Sequence, residues 1–302
     1  MRPVFQWNLG SRSLALGKRT LIMGIVNVTP DSFSDGGQFL DRDQAIAHAE
    51  RLLHEGADII DIGGESTRPG AHVDTGGALK STRRAPAVSA EEELKRILPV
   101  IAQFKKTHPQ ALVSVDTYKG EVARAAVEAG AEIVNDVSGF RWDPQMADTV
   151  ANLPCGAVFM HMRGRPEEWR LLPRADDIVG LVKGELQQIS EKAITAGVPP
   201  ERIVLDPGFG FGKNFEENYP LIARFHELQA LGFPLLAGAS RKSFIGRTVA
   251  GGEGNVSPVE RLYGTLACET AVVLQGAHIL RTHDVKASLE TARVADAIVL
   301  AQ

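Results

Sequence analysis

From residue 21 onward the chain repeats one unit, a short apolar run followed by a polar loop and an amphipathic stretch. The apolar runs are Leu21–Val26, Asp58–Ile62, Leu112–Val115, Glu132–Val134, Ala157–Met160, Ile203–Leu205, Leu235–Ala237 and Ala277–Leu280. Short, nearly wholly apolar runs bounded by turn residues are what parallel strands buried on both faces require. Ahead of them, residues 4–20 alternate weakly through Phe5, Trp7, Leu9, Leu14 and Leu16 around Gly10-Ser11. That pattern predicts a small hairpin before the main fold.

The intervening helices have readable ends. Ser89 with Glu92, Asn214 with Glu217, and Ser257-Pro258 with Glu260 are capping boxes or close relatives, in which side chains satisfy the first free N–H groups. Gly56, Gly130 and Gly197 close helices, each able to take a left-handed cap. Leu262, Leu266 and Val273 in the seventh helix, and Leu289, Val294 and Ile298 in the last, read as core-facing stripes. Eight strand–helix repeats over about 280 residues predict a closed α/β (β/α)8 barrel, the TIM-barrel architecture, rather than an open sheet. With no linker or break in composition, residues 1–302 read as one domain, with the hairpin over 4–20 and the barrel over 21–302. Two connections are longer than the barrel needs. Residues 66–88 carry Arg68, Lys80, Arg83 and Arg84, and residues 161–175 carry Arg163, Arg165, Arg170 and Arg174. Both read as lids or disordered insertions.

Composition narrows the class without naming an activity. The chain is 44% hydrophobic and 23% charged, with a net charge of -4, which gives no reason to expect nucleic acid or an acidic membrane as partner. Cys155 and Cys268 lie in apolar surroundings and read as buried free thiols. The N-terminus lacks the apolar core of a signal peptide, and no run of 18 apolar residues occurs. A cytoplasmic protein is the expectation.

In a barrel the residues just past each strand meet at one rim. Those positions hold Asn27, Asp61 with Glu65, Asp116, Asn135 with Asp136, His161, Asp206, the run from Ser240 to Ser243, and the run from Arg281 to Asp284. Asp116, Asn135 and Asp206 suit a flat heterocycle with an amidine-like edge, because a carboxylate can take two parallel N–H bonds from it. The alternative is a rim ion-pair network with Lys242 or Arg241. Arg281, His283, Lys242 and Arg68 form a cationic set matched to phosphate, at the end of the barrel where phosphate commonly binds. The stretch from Gly208 to Lys213 is not a dinucleotide fingerprint. Its glycines read as letting backbone approach a flat ligand, with Phe209 or Phe211 as a wall. No His/Asp partner marks Ser240 as a nucleophile, and no Cys/His cluster marks a zinc site.

Five blocks carry a family resemblance. They are Asn27-Val-Thr-Pro-Asp-Ser-Phe-Ser-Asp-Gly-Gly37, Asp61-Ile-Gly-Gly-Glu-Ser-Thr-Arg-Pro-Gly70, Asp206-Pro-Gly-Phe-Gly-Phe-Gly-Lys213, Gly238-Ala-Ser-Arg-Lys-Ser-Phe-Ile-Gly246 and Arg281-Thr-His-Asp284. In order and over most of the chain they resemble dihydropteroate synthase, the folate-pathway enzyme that sulfonamides inhibit. The resemblance implies a homodimeric barrel that joins 4-aminobenzoate to 6-hydroxymethyl-7,8-dihydropterin diphosphate and releases pyrophosphate. It implies a pterin pocket of Asp116, Asn135, Asp206, Lys242 and Met160. It implies diphosphate contacts from Asn27, Thr67, Arg68, Arg281, Thr282 and His283, and an aminobenzoate site of Thr67, Arg68, Pro69, Phe211 and Ser243. Lys242, Arg281, His283 and Arg68 would act in catalysis, with Mg2+ held by Asn27 and Asp35 as a second candidate ligand. Residues 72–85 look inserted relative to the family.

Two rivals share the pterin pocket. A corrinoid-dependent pterin methyltransferase has no use for the cationic blocks at 240–246 and 281–284, which argue against it. A non-catalytic paralogue would typically have lost Asn27, Lys242, Arg281 or His283, all present here.

Overall fold

The computed structural model describes residues 2–29, 38–65 and 88–301, the side chains of residues 38–41 excepted. The calls on Asp35, Thr67, Arg68, Pro69 and the 72–85 insertion fall outside the described residues.

An antiparallel hairpin of β1 (Phe5–Asn8) and β2 (Ser13–Leu16) comes first, paired in register from Phe5↔Leu16 to Asn8↔Ser13. Eight parallel strands follow: β3 (Leu21–Asn27), β4 (Ile59–Gly63), β5 (Leu112–Asp116), β6 (Ile133–Asp136), β7 (Gly156–Met160), β8 (Ile203–Asp206), β9 (Leu236–Ala237) and β10 (Ile279–Thr282). Their order is β8-β7-β6-β5-β4-β3-β10-β9. A parallel bridge, Leu205↔Leu235, brings the two ends together and nearly closes the barrel. Around it lie α1 (Gln38–His54), α2 (Ala90–Thr107), α3 (Gly120–Glu128), α4 (Met146–Asn152), α5 (Ile178–Thr195), α6 (Asn218–Ala223), α7 (Ser243–Val249), α8 (Leu262–Leu274) and α9 (Val285–Leu300).

Because successive strand residues face opposite sides, each strand feeds two cores. Ile22, Ile60, Val113, Val134, Phe159, Leu205 and Leu280 pack outward with helix residues such as Leu52, Ile97 and Val182. The alternate residues Leu21, Met23, Ile59, Leu112, Ile133, Val158, Val204, Leu236 and Ile279 form a separate inner cluster drawn from all eight barrel strands. Trp7, Leu9 and Leu16 of the hairpin belong to that inner cluster. The hairpin therefore plugs the N-terminal end of the barrel, with Trp7 Nε1 donating to the Arg202 carbonyl at 2.9 Å. Gly156 leaves room for the plug, since a Cβ there would press on Leu9 Cδ2 at 2.4 Å and on the Trp7 ring at 3.0 Å.

The strands run one or two residues further than their apolar runs suggest, taking in Asn27, Gly63, Asp116, Asp136 and Asp206. A backbone ladder does not require apolar side chains, and the inward positions at this end face a polar mouth. The helix ends agree with their sequence signals. Both Asn214–Glu217 and Ser257–Glu260 are capping boxes, opening short 3-10 turns ahead of α6 and α8. Ser89 caps α2 from one side only, accepting from the Glu92 N–H at 3.2 Å. Gly56, Gly130 and Gly197 all take positive φ. The stripe expected on the last helix is corrected in part: Leu289 packs against the core, but Val294 is 64% exposed and Ile298 44%. The buried face of α9 is Val285, Ser288, Ala292 and Ala295. Cys155 is buried as expected, whereas Cys268 is only partly so, and both are free.

Trp7→Ala opens a cavity in the plug and leaves the Arg202 carbonyl without its indole donor. It should lower unfolding free energy by about 3–5 kcal/mol, seen as a lower urea midpoint. Binding at the opposite mouth should be unaffected.

Candidate active site

The inward alternation that builds the plug continues to the other end of the barrel, where it presents polar groups. Beyond Ile59 comes Asp61, beyond Leu112 come Ser114 and Asp116, beyond Ile133 comes Asn135, and beyond Val204 comes Asp206. Arg281 on β10 reaches across β3 to this group. Its Nε donates to Asp61 Oδ2 at 2.6 Å and its Nη2 to Asp116 Oδ2 at 2.6 Å. Asn135 Nδ2 donates to the same Asp61 oxygen at 3.2 Å. Asp206 Oδ1 accepts the Gly208 N–H at 2.7 Å. Three of the expected pterin-site residues, Asp116, Asn135 and Asp206, thus meet at one mouth, with Met160 at the end of β7 only 3% exposed.

The rim ion-pair alternative is half right. A network exists, with Arg281 hydrogen-bonded to Asp61 and Asp116 and the Lys242 charge also acting on Asp116 and Asp206. Arg241 pairs with Asp284 instead, at 2.9 and 2.6 Å, and Lys242 Nζ sits 3.9 Å from the centroid of the Phe211 ring. Arg281 was expected to serve phosphate, and it holds two carboxylates. Two of its N–H groups serve them, and a guanidinium has five.

Burial raises Asp116 to about 7, with Arg281 pulling the other way and Asp61 adding to the rise. Asp206 is raised by burial too, against its Gly208 hydrogen bond and Lys242. Burial opposes the charge on Arg281, but Asp61 and Asp116 more than offset it and hold its pKa above the usual value. His283 is pushed down to about 3 by burial and then by Arg281 and Arg241. Its Nδ1 lies 3.0 Å from Ser240 Oγ, which also accepts the His283 backbone N–H at 3.1 Å. Thr282 is fully buried, and its hydroxyl contacts Ser288 and Ser240 behind the rim. Asn27 ends β3 partly exposed at the same mouth. Ser243 is the first residue of α7, next to Lys242.

The stretch from Gly208 to Lys213 departs from its sequence reading. Gly208, Gly210 and Gly212 all have positive φ, and Cβ atoms at Gly208 and Gly212 would meet the His161 and Arg163 carbonyls at 2.0 and 2.2 Å. These glycines therefore admit neighbouring backbone, not a ligand. Lys213 is buried and donates to the Gly208, Phe211 and His161 carbonyls at 2.8, 3.2 and 3.3 Å, with His161 Nδ1 at 2.8 Å. With Nδ1 facing the Lys213 amino group, His161 turns Nε2 to Glu185, 3.3 Å away. Phe209 is fully buried and stacks on Phe225, so Phe211 alone remains as a wall. The 161–175 connection folds back on that wall. Trp169 meets Phe211 edge-on at 5.5 Å, and Arg163 holds the Pro173 carbonyl at 2.8 Å.

Sequence reading placed Asp61 and Ser240 at the rim without an individual role, and passed over Lys119. The signal for a paired Asp61 was a carboxylate inside the apolar run Ile-Ile-Asp-Ile. Lys119 Nζ joins Glu65 Oε2 and Glu93 Oε2, both at 2.5 Å, while Glu65 Oε1 accepts the Val88 N–H at 3.4 Å. One carboxylate thereby ties together the two ends of the 66–87 segment. Asp136 spends its oxygens on Ser138 and on the Phe140 N–H, which makes it a turn-forming residue. No group of three or more His, Cys, Asp or Glu side chains suited to a metal occurs among the described residues.

Comparison with known proteins agrees with this geometry. The family model for pterin binding enzymes matches residues 23–283. Dihydropteroate synthase of Escherichia coli (strain K12) is 42% identical over 281 residues, covering 93% of this chain and 92% of the relative. The Xanthomonas albilineans dihydropteroate synthase structure with 4-aminobenzoic acid is 42% identical, with a TM-score of 0.85 and 98% of each chain covered. The Yersinia pestis dihydropteroate synthase structure with a sulfonamide drug is 40% identical, with a TM-score of 0.82, covering 94% of this chain and 96% of that one. The chain belongs to the pterin-binding enzyme family. Within it the chain stands with the dihydropteroate synthases, transferases of folate biosynthesis.

Removing the Arg281 charge strands two buried carboxylates. Arg281→Met should lose about 3 kcal/mol or more of unfolding free energy. Asp116 would then rise further above its unfolded value, so the native state binds more protons than the unfolded chain between the two values. Stability must fall as pH rises across that window. Urea midpoints at pH 5 and pH 8 check this, with the larger loss expected at pH 8.

Proposed function

We propose that this chain condenses 6-hydroxymethyl-7,8-dihydropterin diphosphate with 4-aminobenzoate, giving 7,8-dihydropteroate and pyrophosphate. The observation that carries the reading is the meeting of Asp116, Asn135 and Asp206 at one barrel mouth with Arg281, His283 and Lys242 beside them. A flat, N–H-rich heterocycle fits the first set and a diphosphate the second.

In this reading Asp206, Asn135 and Asp116 take the pterin edge, Met160 packs on the ring and Lys242 lies between ring and wall. As the CH2–O bond breaks, negative charge grows on the leaving diphosphate. Arg281 and His283, with Thr67 and Arg68 from the 66–87 segment, stabilise that charge. Asp116 and Asp206 favour the positive charge that the electron-rich dihydropterin delocalises. An arylamine is unprotonated at neutral pH, so the nucleophile needs no strong general base. Phe211, Ser243, Thr67, Arg68 and Pro69 would hold the aminobenzoate, and sulfonamides would compete there.

The donor set fits Mg2+ only together with substrate. Asn27 offers one amide oxygen at the mouth, and Mg2+ characteristically combines one or two protein oxygens with phosphates and water. Asn27, with Asp35 as a further candidate, would hold the ion, which would supply charge neutralisation to the departing diphosphate. The protein would act in the cytoplasm as a homodimer. The exposed apolar residues Tyr263 and Leu274 of α8 and Val294, Ile298 and Leu300 of α9 support an interface there.

Pyrophosphate release that requires both substrates and Mg2+ would separate this reaction from methyl transfer and from passive pterin binding. Release without 4-aminobenzoate, or none at all, counts against it. Lys242→Ala should weaken pterin diphosphate binding about 10- to 100-fold, as expected for loss of a charged hydrogen bond, and leave the fold intact.

For the dimer, Val294→Lys with Ile298→Lys should halve the mass measured by light scattering. A wild-type protein already monomeric at micromolar concentration removes the interface.

A further inference from the structure

Behind the rim, α8 carries a carboxyl group that no step above uses. Glu269 is 1% exposed, and the hydroxyls of Ser288 and Thr282, each 0% exposed, act on its carboxyl. From there hydroxyls run to the mouth. Ser288 Oγ lies 2.8 Å from Thr282 Oγ1, Thr282 Oγ1 lies 3.4 Å from Ser240 Oγ, and Ser240 Oγ lies 3.0 Å from His283 Nδ1. Two backbone groups fix lone pairs along the way. The Asp284 N–H donates to Thr282 Oγ1 at 3.2 Å and the His283 N–H to Ser240 Oγ at 3.1 Å. Neither oxygen of Glu269 completes a hydrogen bond of ordinary geometry. Burial raises the group to about 7, and the Ser288 and Thr282 hydroxyls pull it back only in part.

Each hydroxyl has one proton to give, so the chain of contacts has a direction. With Glu269 protonated, it can donate to Ser288, Ser288 to Thr282, Thr282 to Ser240 and Ser240 to His283 Nδ1. The single proton of a neutral imidazole then sits on Nε2. With Glu269 ionised, it can only accept. Ser288 and Thr282 turn toward it, and Ser240 is free to accept from Nδ1–H. We propose that Glu269 is a positioning residue whose proton sets the tautomer of His283 through Ser288, Thr282 and Ser240. Its consequence for turnover rests on the reading that His283 faces the diphosphate. An Nε2–H donates to a phosphate oxygen, whereas the other tautomer presents a lone pair to it.

A neutral ring is needed for a tautomer to matter, and His283 meets this condition under the cations Arg281, Arg241 and Lys242, with Asp284 opposing them. The groups acting on Glu269 are Ser288, Thr282 and Asp284, the last raising it. The neighbouring Cys268 thiol, raised to about 11, stays protonated near neutrality. Glu269 loses its proton as pH rises through about 7, so the fixed Nε2–H donor is present below that pH and lost above it.

The test is a pH titration of the full-length protein without substrate, following the His283 ring 15N signals and the Glu269 carboxyl 13C signal. In the wild type the two should change with one midpoint. In Glu269→Gln, whose amide donates at every pH, His283 should keep the Nε2–H tautomer throughout. Separate midpoints, or the same His283 titration in the variant, overturn the proposal, and the wild-type titration alone decides it if the variant does not fold. A second arm compares KM for the pterin diphosphate. Above the midpoint, wild-type KM should rise relative to Glu269→Gln by up to about tenfold per pH unit, with kcat little changed. Asp116 titrates in both proteins and cancels from the ratio. Coupled NMR midpoints with superimposable KM profiles would support the proton path and remove His283 from the diphosphate site.

Discussion

The Arg281 guanidinium, held between Asp61 and Asp116, is the contact on which the mouth of the barrel depends. Three carboxylates, Asp61, Asp116 and Asp206, stand at this end, in surroundings that raise the pKa values of Asp116 and Asp206. Isolated buried charges are expensive, and paired ones are tolerated when their geometry is good. Arg281 pairs two strands with a third by bonds of 2.6 Å. The same cation belongs to the set proposed to meet a diphosphate. One group therefore makes the pocket foldable and stands ready for the leaving group, which explains why it cannot be judged from either task alone.

The division of the barrel into two ends follows from strand geometry. One inward face per strand reads apolar near the hairpin and polar at the opposite mouth, so a plug and a site share the same eight strands. Trp7, Leu9 and Leu16 make the closed end independent of anything bound at the other. Positions such as Asn27, Asp116 and Asp206 remain within strands, where the backbone ladder holds their side chains more firmly than a loop would.

Much of this was legible from the chain itself. Eight apolar runs, three cap signals and three helix-ending glycines point to the barrel because each reports a local physical requirement. Asp116, Asn135, Asp206, Arg281 and His283 could be picked out because they end strands. What escaped reading depended on distant partners. The pairing of Arg281 with Asp61 joins residues 220 apart in sequence, and no local pattern announces it. Phe209 and Phe211 look alike in sequence, yet the turn buries one against Phe225 and leaves the other at the mouth. The last helix misled because Val294 and Ile298 face outward while Ser288, Ala292 and Ala295 face inward. An apolar stripe shows that a face avoids water, not which neighbour covers it.

Lys213 gives the wall of the site a property that matters for anything that binds there. Its amino group gathers three carbonyls, and Gly208 and Gly212 pass at positive φ where a Cβ would collide with neighbouring backbone. A segment tied in this way has almost no alternative shapes to surrender. Ligands resting on Phe211 would meet a surface whose conformational entropy was already lost during folding. Differences in their affinity should then follow contact and desolvation, and the wall should present the same profile to substrate and inhibitor alike.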